Sequence, residues 1–184
     1  DYIKHWGIGR NNVIAFRGFF GIAIPYGNSD NIPFSKSFFA GGANDNRAWT
    51  AYNLGPGSSD SNNEFNEANM KLAFSLEHRF NLFGSLNGAL FVDAGNIWNH
   101  RRAGGDLLAP DVLKVSSWRE IAVGFGYGLR IDMEFIIVRF DFASPVHNPY
   151  LPIGERWLWE KKTTYKSTTY FEYDPVAKKF VDYK

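Results

Sequence analysis

Apolar and polar residues alternate with a period of two through five stretches of this chain. In residues 13–24, Ile14, Phe16, Phe20, Ile22 and Ile24 fall on one face, and Val13, Ala15, Arg17, Phe19, Gly21 and Ala23 on the other. Side chains alternate across a strand, so an oily face opposed by a mostly small face with one charge predicts a two-faced β-strand. Residues 68–80 are clearer. Ala68, Met70, Leu72, Phe74, Leu76, His78 and Phe80 share one face; Asn69, Lys71, Ala73, Ser75, Glu77 and Arg79 share the other. Residues 86–98 set Leu86, Leu90, Val92 and Ala94 against Asn87, Phe91 and Asp93. Residues 119–132 place Ile121, Val123, Phe125, Tyr127, Leu129 and Ile131 opposite Glu120, Ala122, Gly124, Gly126, Gly128, Arg130 and Asp132. Residues 135–143 form the fifth stretch, with Ile136, Val138, Phe140 and Phe142 facing outward and Arg139 and Asp141 inward. The glycines at 124, 126 and 128 leave room for something packed against the inner face, or for strong bending.

Strands of a soluble sandwich also alternate, but usually run to about 5–6 residues. Residues 68–80 are long enough to cross a bilayer at the usual strand tilt. The connections alternate too: long over 25–66, short over 81–84, long over 99–117, short at 133–134. Outer-membrane barrels have short periplasmic turns and long extracellular loops in this way. Residues 1–12 read as the end of a preceding element and a turn, and residues 144–159 as a loop at a membrane interface. Residues 163–183 read as a polar hairpin, 170–173 against 179–182, turning at Asp174-Pro175. Five membrane strands cannot close a barrel, since the smallest have about eight. An open edge in lipid leaves backbone groups unsatisfied. The remaining strands are therefore expected from sequence outside this chain.

Composition fits this picture. The chain has 184 residues and a formal net charge of +1, which points away from a nucleic-acid partner. It has no cysteine, 17% aromatic residues and 18 glycines, a combination that suits a barrel with aromatic girdles. No apolar run approaches the roughly 18–20 residues of a membrane helix. The chain starts at Asp1 rather than at a methionine, and is read as a mature protein or a piece of one.

The first long loop carries the candidate chemistry. Residues 38–57 hold Gly41, Gly42, Arg47, Ala48 and Trp49 and run on to Leu54-Gly55-Pro56-Gly57. Loops of that length are usually disordered or functional, and this one has little to keep it in water. The reading is a loop folded inward, with Arg47 seeking a carboxylate; the plainer alternative is a solvated arginine. Other candidates are weaker. Gly124, Gly126 and Gly128 sit inside an alternating strand with no helix after them, so they are no dinucleotide loop. Gly55 to Ser59 lacks the lysine of a phosphate loop. Asp60, Glu64 and Glu67 do not match calcium-loop spacing. Glu77, Asp93 and the four histidines show no serine–histidine or metal-ligand spacing, so neither an enzymatic nor a metal site is expected, and a structural ion pair is the better reading. Trp98, Trp118, Trp157 and Trp159 fall near strand ends, where an interfacial aromatic belt is expected.

These residues resemble the BamA/TamA superfamily of bacterial surface-antigen barrels, which insert or translocate proteins at the outer membrane. That family carries an Arg-Gly-aromatic motif on an extracellular loop tucked into the lumen. Here it reads Arg47-Ala48-Trp49 after Gly41-Gly42, with alanine in place of the glycine. Leu76-Glu77-His78-Arg79-Phe80 resembles the strand that follows the loop. Phe91-Val92-Asp93-Ala94-Gly95 resembles the family's Phe-x-Asp-x-Gly strand. Leu54-Gly55-Pro56-Gly57 looks like the TamA-like branch of Bacteroidota-type bacteria. The resemblance covers residues 13–157. It implies an all-β transmembrane antiparallel barrel, with these five strands the eleventh to fifteenth of sixteen. Residues 1–160 would be its C-terminal portion and residues 161–184 a polar extracellular hairpin or tail. It implies that Arg47 enters the lumen and meets Glu77 and Asp93, both on the face that alternation turns inward. The partners implied are membrane lipid, nascent outer-membrane or surface proteins, and accessory periplasmic or outer-membrane subunits, without a cofactor. A passive porin or receptor barrel, or a transporter for one secreted substrate, are the competing functions.

Overall fold

The computed structural model describes residues 1–9, 11–27, 32–59, 66–100, 109–133 and 135–160, and the backbone of 170–174 and 179–183. Six antiparallel strands lie side by side in chain order. They are β1 (Tyr2–Gly7), β2 (Asn12–Ile22), β3 (Met70–Phe83), β4 (Leu86–Trp98), β5 (Ala122–Asp132) and β6 (Ile137–His147). A one-residue slip would turn every side chain of a strand to the wrong face, and the register observed keeps the two faces distinct. One row across the sheet reads Phe16, Leu76, Val92, Phe125. The next row, on the opposite face, reads Arg17, Ser75, Asp93, Gly124. β7 (Tyr170–Asp174) and β8 (Lys179–Tyr183) pair as a separate two-stranded sheet. This is the hairpin expected near 170–182; the turn between its strands lies outside the described residues.

The first face is apolar and bare. Phe20, Leu76, Val92, Phe125, Tyr127, Phe140 and Phe142 all stay exposed, Phe20 by 62%. A continuous apolar surface of this kind marks a face made for another apolar phase. The opposite face carries the buried polar groups, among them Glu77 and Asp93. A sheet that is oily outside and polar inside is a barrel wall, and its edge strands need further strands to pair with in lipid. No helix among the described residues is long and apolar enough to cross a membrane; the crossing is made by strands.

The structure departs from the sequence pattern in several places. Residues 2–7 form a sixth strand, β1, paired with β2; its six residues are too few to display a period. The hairpin after β3 turns at Gly84-Ser85 rather than over 81–84, since pairing runs to Phe83 past a bulge. Residues 117–120 form a 3-10 turn, not the start of β5. β6 runs on to His147 through Pro145, with the register shifting between Val123 and Gly124 of its partner strand. That shift lets a residue without an N–H sit in the ladder.

Loops build a cap at the upper end of the wall. Ala40, Trp49, Leu54, Ala68, Ile97 and Ala122 form one buried cluster, with Phe38, Ala48 and Tyr150 packed against it. β4 pairs with β5 only as far as Gly95. Beyond it the Gly57 N–H donates to the Ile97 carbonyl at 2.8 Å, so the first long loop takes the place of a neighbouring strand. Asn96 donates to the carbonyls of Gly57 and Glu120. Trp98, expected in the interfacial belt, is instead 4% exposed and donates to Glu120 Oε2 at 2.9 Å. Its height on the strand matches the expectation, but the cap covers it. Trp118 and Trp159 stay exposed, at 66% and 71%, and Trp157 stacks on Trp159 with ring centroids 4.7 Å apart.

The apolar face gives a direct prediction. Val92→Lys, placed mid-strand on that face, should destabilise the folded barrel in bilayers by about 2–4 kcal/mol, the range for a cation near the midplane. Denaturant titration in lipid vesicles measures it, and an unchanged midpoint would mean that the face does not meet lipid.

Candidate functional site

The loop over residues 41–49 is closed by its own backbone. Gly41 and Gly42 adopt φ of +93° and +98°, a region that disfavours any residue with a Cβ. A Cβ on Gly41 would also overlap the Thr50 carbonyl. The Gly42 N–H donates to Trp49 O at 2.8 Å, and the Trp49 N–H to Asn46 O at 3.2 Å. Asp45 Oδ2 accepts from the Gly41 N–H at 2.8 Å. The Trp49 side chain is buried in the cap cluster. Arg47 therefore leaves the loop from a fixed turn, aimed at the polar face of the sheet.

The arginine meets both carboxylates that alternation had turned inward. Its Nε and Nη2 donate to Asp93 Oδ2 and Oδ1, each at 2.8 Å, a two-pronged fork. Its Nη1 donates to Glu77 Oε2 at 2.8 Å, and its backbone N–H to Asp93 Oδ2 at 3.1 Å. Ser75 accepts from Nη2 at 3.2 Å and donates to Asp93 Oδ1 at 2.7 Å. The sheet register explains the set: Ser75 stands opposite Asp93, and Glu77 opposite Phe91, two residues further along and so on the same face. The Arg47, Glu77 and Asp93 side chains are 7%, 7% and 1% exposed. Burial alone opposes the guanidinium charge. Asp93 first and Glu77 second outweigh it, and raise the Arg47 pKa above the usual arginine value.

Glycines form the floor beneath the ion pair. A Cβ on Gly124 would stand 2.6 Å from Ala48 Cβ, and one on Gly126 would overlap the Phe91 ring. Without those side chains Phe91 lies flat against β5, and Arg47 Cζ stacks 3.4 Å above its centroid, a cation–π contact. The trough left by Gly124 also seats the methyl of Ala48, where the resembling motif has glycine.

Further groups join the network that sequence reasoning had placed inward without giving them a part. Glu77 Oε1 binds Arg79, and Arg130 Nη2 at 2.6 Å. Asp141 Oδ2 lies 3.0 Å from Arg139 Nε and 3.6 Å from Arg47 Nη1. Their signal was legible as charge on the inner face; which carboxylate takes which cation depends on register and sheet curvature. Of the calcium candidates, Asp60 and Glu64 lie outside the described residues, and Glu67 accepts from Ser37. Among the described residues no cluster of ligating side chains could hold a metal.

The profile of the Omp85 superfamily domain matches residues 1–157. Among solved structures, BamA from Haemophilus ducreyi lacking POTRA domains 1–3 is similar in fold. The TM-score is 0.61 at 20% sequence identity, over 74% of this chain and 28% of that one. The match thus spans little more than a quarter of that protein.

Three substitutions test the site. Arg47→Ala leaves buried Asp93 without a cation, while Glu77 keeps Arg79 and Arg130, and should cost about 3–5 kcal/mol, the range for breaking a buried pair. Arg47→Lys keeps the charge but loses the fork and should fall between. Gly124→Val should cost about 1–3 kcal/mol by overpacking against Ala48. Denaturant midpoints of the full-length protein in lipid measure all three, and wild-type midpoints would mean that Arg47 is not held at the wall.

Proposed function

The chain belongs to the Omp85 superfamily and forms part of a bacterial outer-membrane β-barrel, and from that premise we propose that it serves to insert or translocate proteins at that membrane. The observation that carries the reading is the Arg47 fork on Asp93, with Glu77 as second acceptor. A pore that merely conducts solutes has no need to bury a loop arginine against its wall; a polar, hydrated constriction would serve it. Here the loop is seated by ion pairs, a cation–π contact and an apolar cap at once. In this reading the loop occupies the lumen and stiffens this wall. The barrel then presents a defined surface to an incoming chain rather than an open channel. Arg47, Glu77 and Asp93 are the residues that hold the loop; Gly41, Gly42, Ala48 and Trp49 shape it.

The partners proposed are nascent outer-membrane or surface proteins, together with accessory subunits. No enzymatic step or cofactor is invoked. Transfer of apolar strands from water to lipid is itself favourable, so the protein has only to lower the barrier and guide the pairing.

A charge-swap series in the full-length protein tests this. Arg47→Glu alone and Asp93→Arg alone should each impair assembly of client proteins into vesicles, and the double variant should partly recover. Planar-bilayer conductance is recorded in parallel. Silent single variants with a steady, unaltered pore would overturn the proposal in favour of a passive channel.

A further inference from the structure

We infer that the loop is held by a second clamp of opposite polarity, the Asp45–Lys71 pair flanked by Arg17 and Arg139, which orients the tip that Arg47 anchors. The inference rests on the functional reading above and deepens it. In the Arg47 site the loop contributes the cation and the wall the carboxylates. One shell further out the signs reverse. Lys71 Nζ of β3 lies 3.0 Å from Asp45 Oδ1, with the two side chains 13% and 14% exposed. Lys71 also donates to the Phe39 carbonyl at 2.7 Å. Its ammonium stands 5.8 Å from the Phe19 ring and 5.5 Å from the Phe39 ring. An ammonium between two aromatic rings, a carbonyl and a carboxylate is held far better than one in a surface pair.

Two wall arginines grip the tip next to it. Arg17 Nη1 of β2 donates to Asn44 O at 3.0 Å. Arg139 Nη2 of β6 donates to Ala43 O at 2.8 Å. These two strands have β3, β4 and β5 between them, so the tip braces the concave face from side to side. Arg47 and the apolar cap seat the two legs of the loop. Donors from β2, β3 and β6 fix the tip, residues 43–45, between them. Reversed polarity adds selectivity: a loop turned end for end would bring Arg47 against Lys71 and Asp45 against Asp93, like charge on like. Asp45 and Lys71 are therefore positioning residues that act through the seating of Arg47.

The chain has no cysteine, so one thiol introduced as Ala43→Cys reports the tip cleanly. The full-length protein is spin-labelled there, reconstituted in lipid vesicles and read by electron paramagnetic resonance. The label should be immobilised in the otherwise unaltered protein. Asp45→Asn retains an acceptor for the Gly41 N–H but removes the charge; Lys71→Met removes the ammonium at similar length. Each should convert the immobilised signal to a mobile one, the double variant should go no further than either single, and Lys71→Arg should restore immobilisation. A label equally immobile in every variant overturns the clamp and leaves the Arg47 anchor standing, as the charge-swap series reads independently. A label already mobile in the unaltered protein overturns the clamp too. Mobility that responds to Asp45→Asn and Lys71→Met additively, as two unrelated effects, also overturns the pairing.

Discussion

A charged guanidinium almost without access to water is the constraint on which this wall is built. Taking such a group out of water costs several kcal/mol unless its donors are met. Arg47 is met from Nε, Nη1, Nη2 and its own backbone N–H by groups on two adjacent strands. That solution fixes more than the arginine. It requires Asp93 and Glu77 in neighbouring rows on one face, and hence the register between β3 and β4. It requires Phe91 to lie flat beneath the guanidinium, and hence no side chain at 126. It requires room for the Ala48 methyl, and hence no side chain at 124. A one-residue slip between β3 and β4 would carry the carboxylate of one row to the lipid side, where no cation waits and the cost of a charge is greatest.

The apolar cap above the site depends on the same seating. Leu54 and Ile97 are fully buried, yet neither belongs to a strand-on-strand core. Each loses its water because the loop crosses the end of β4 where β5 has stopped pairing. The Tyr150 hydroxyl, which accepts from the Gly55 N–H at 2.6 Å and donates to Asn53 O at 3.0 Å, fastens the exit leg of the loop from the segment after β6. Loop, cap and wall therefore form one packed unit, in which polar contacts hold the lower part and apolar contacts the upper part.

Much of this was legible in the sequence because membrane strands obey one simple rule. Each residue faces either lipid or lumen, so period two alone assigned Glu77, Asp93, Arg139 and Asp141 to the inner face. Alternation alone left Arg47 seeking some inward carboxylate; Glu77 and Asp93 were named by the resemblance, and alternation only placed both on the inner face. What period two could not reach is where alternation stops meaning burial. Trp98 continues the outward series but lies above the lipid, under a cap made by residues remote in sequence. Glu120 continues the inward series of β5 but sits on a 3-10 turn and accepts from that tryptophan. β1 was read only as the end of a preceding element, because six residues hold too few periods to show a strand. Strand ends shifted by a few residues because backbone pairing, not side-chain pattern, decides where a ladder ends.

The same balance bears on how such a wall can move. To leave its seat the loop would strand Asp93, at about 3–5 kcal/mol for a broken buried pair, while Glu77 would keep Arg79 and Arg130. It would also expose Trp49 and Leu54, at about 1.5–3 kcal/mol for each large apolar side chain. Either loss is a sizeable part of the roughly 5–15 kcal/mol that holds an ordinary domain together, and the two cannot be separated, since both groups sit on one short segment. Separating a pair of edge strands needs only backbone hydrogen bonds to be exchanged for those of an incoming strand, which is nearly balanced when the newcomer pairs equally well. If the proposed insertion requires the barrel to open, the seated loop is the costlier part to move, and it stays with the wall.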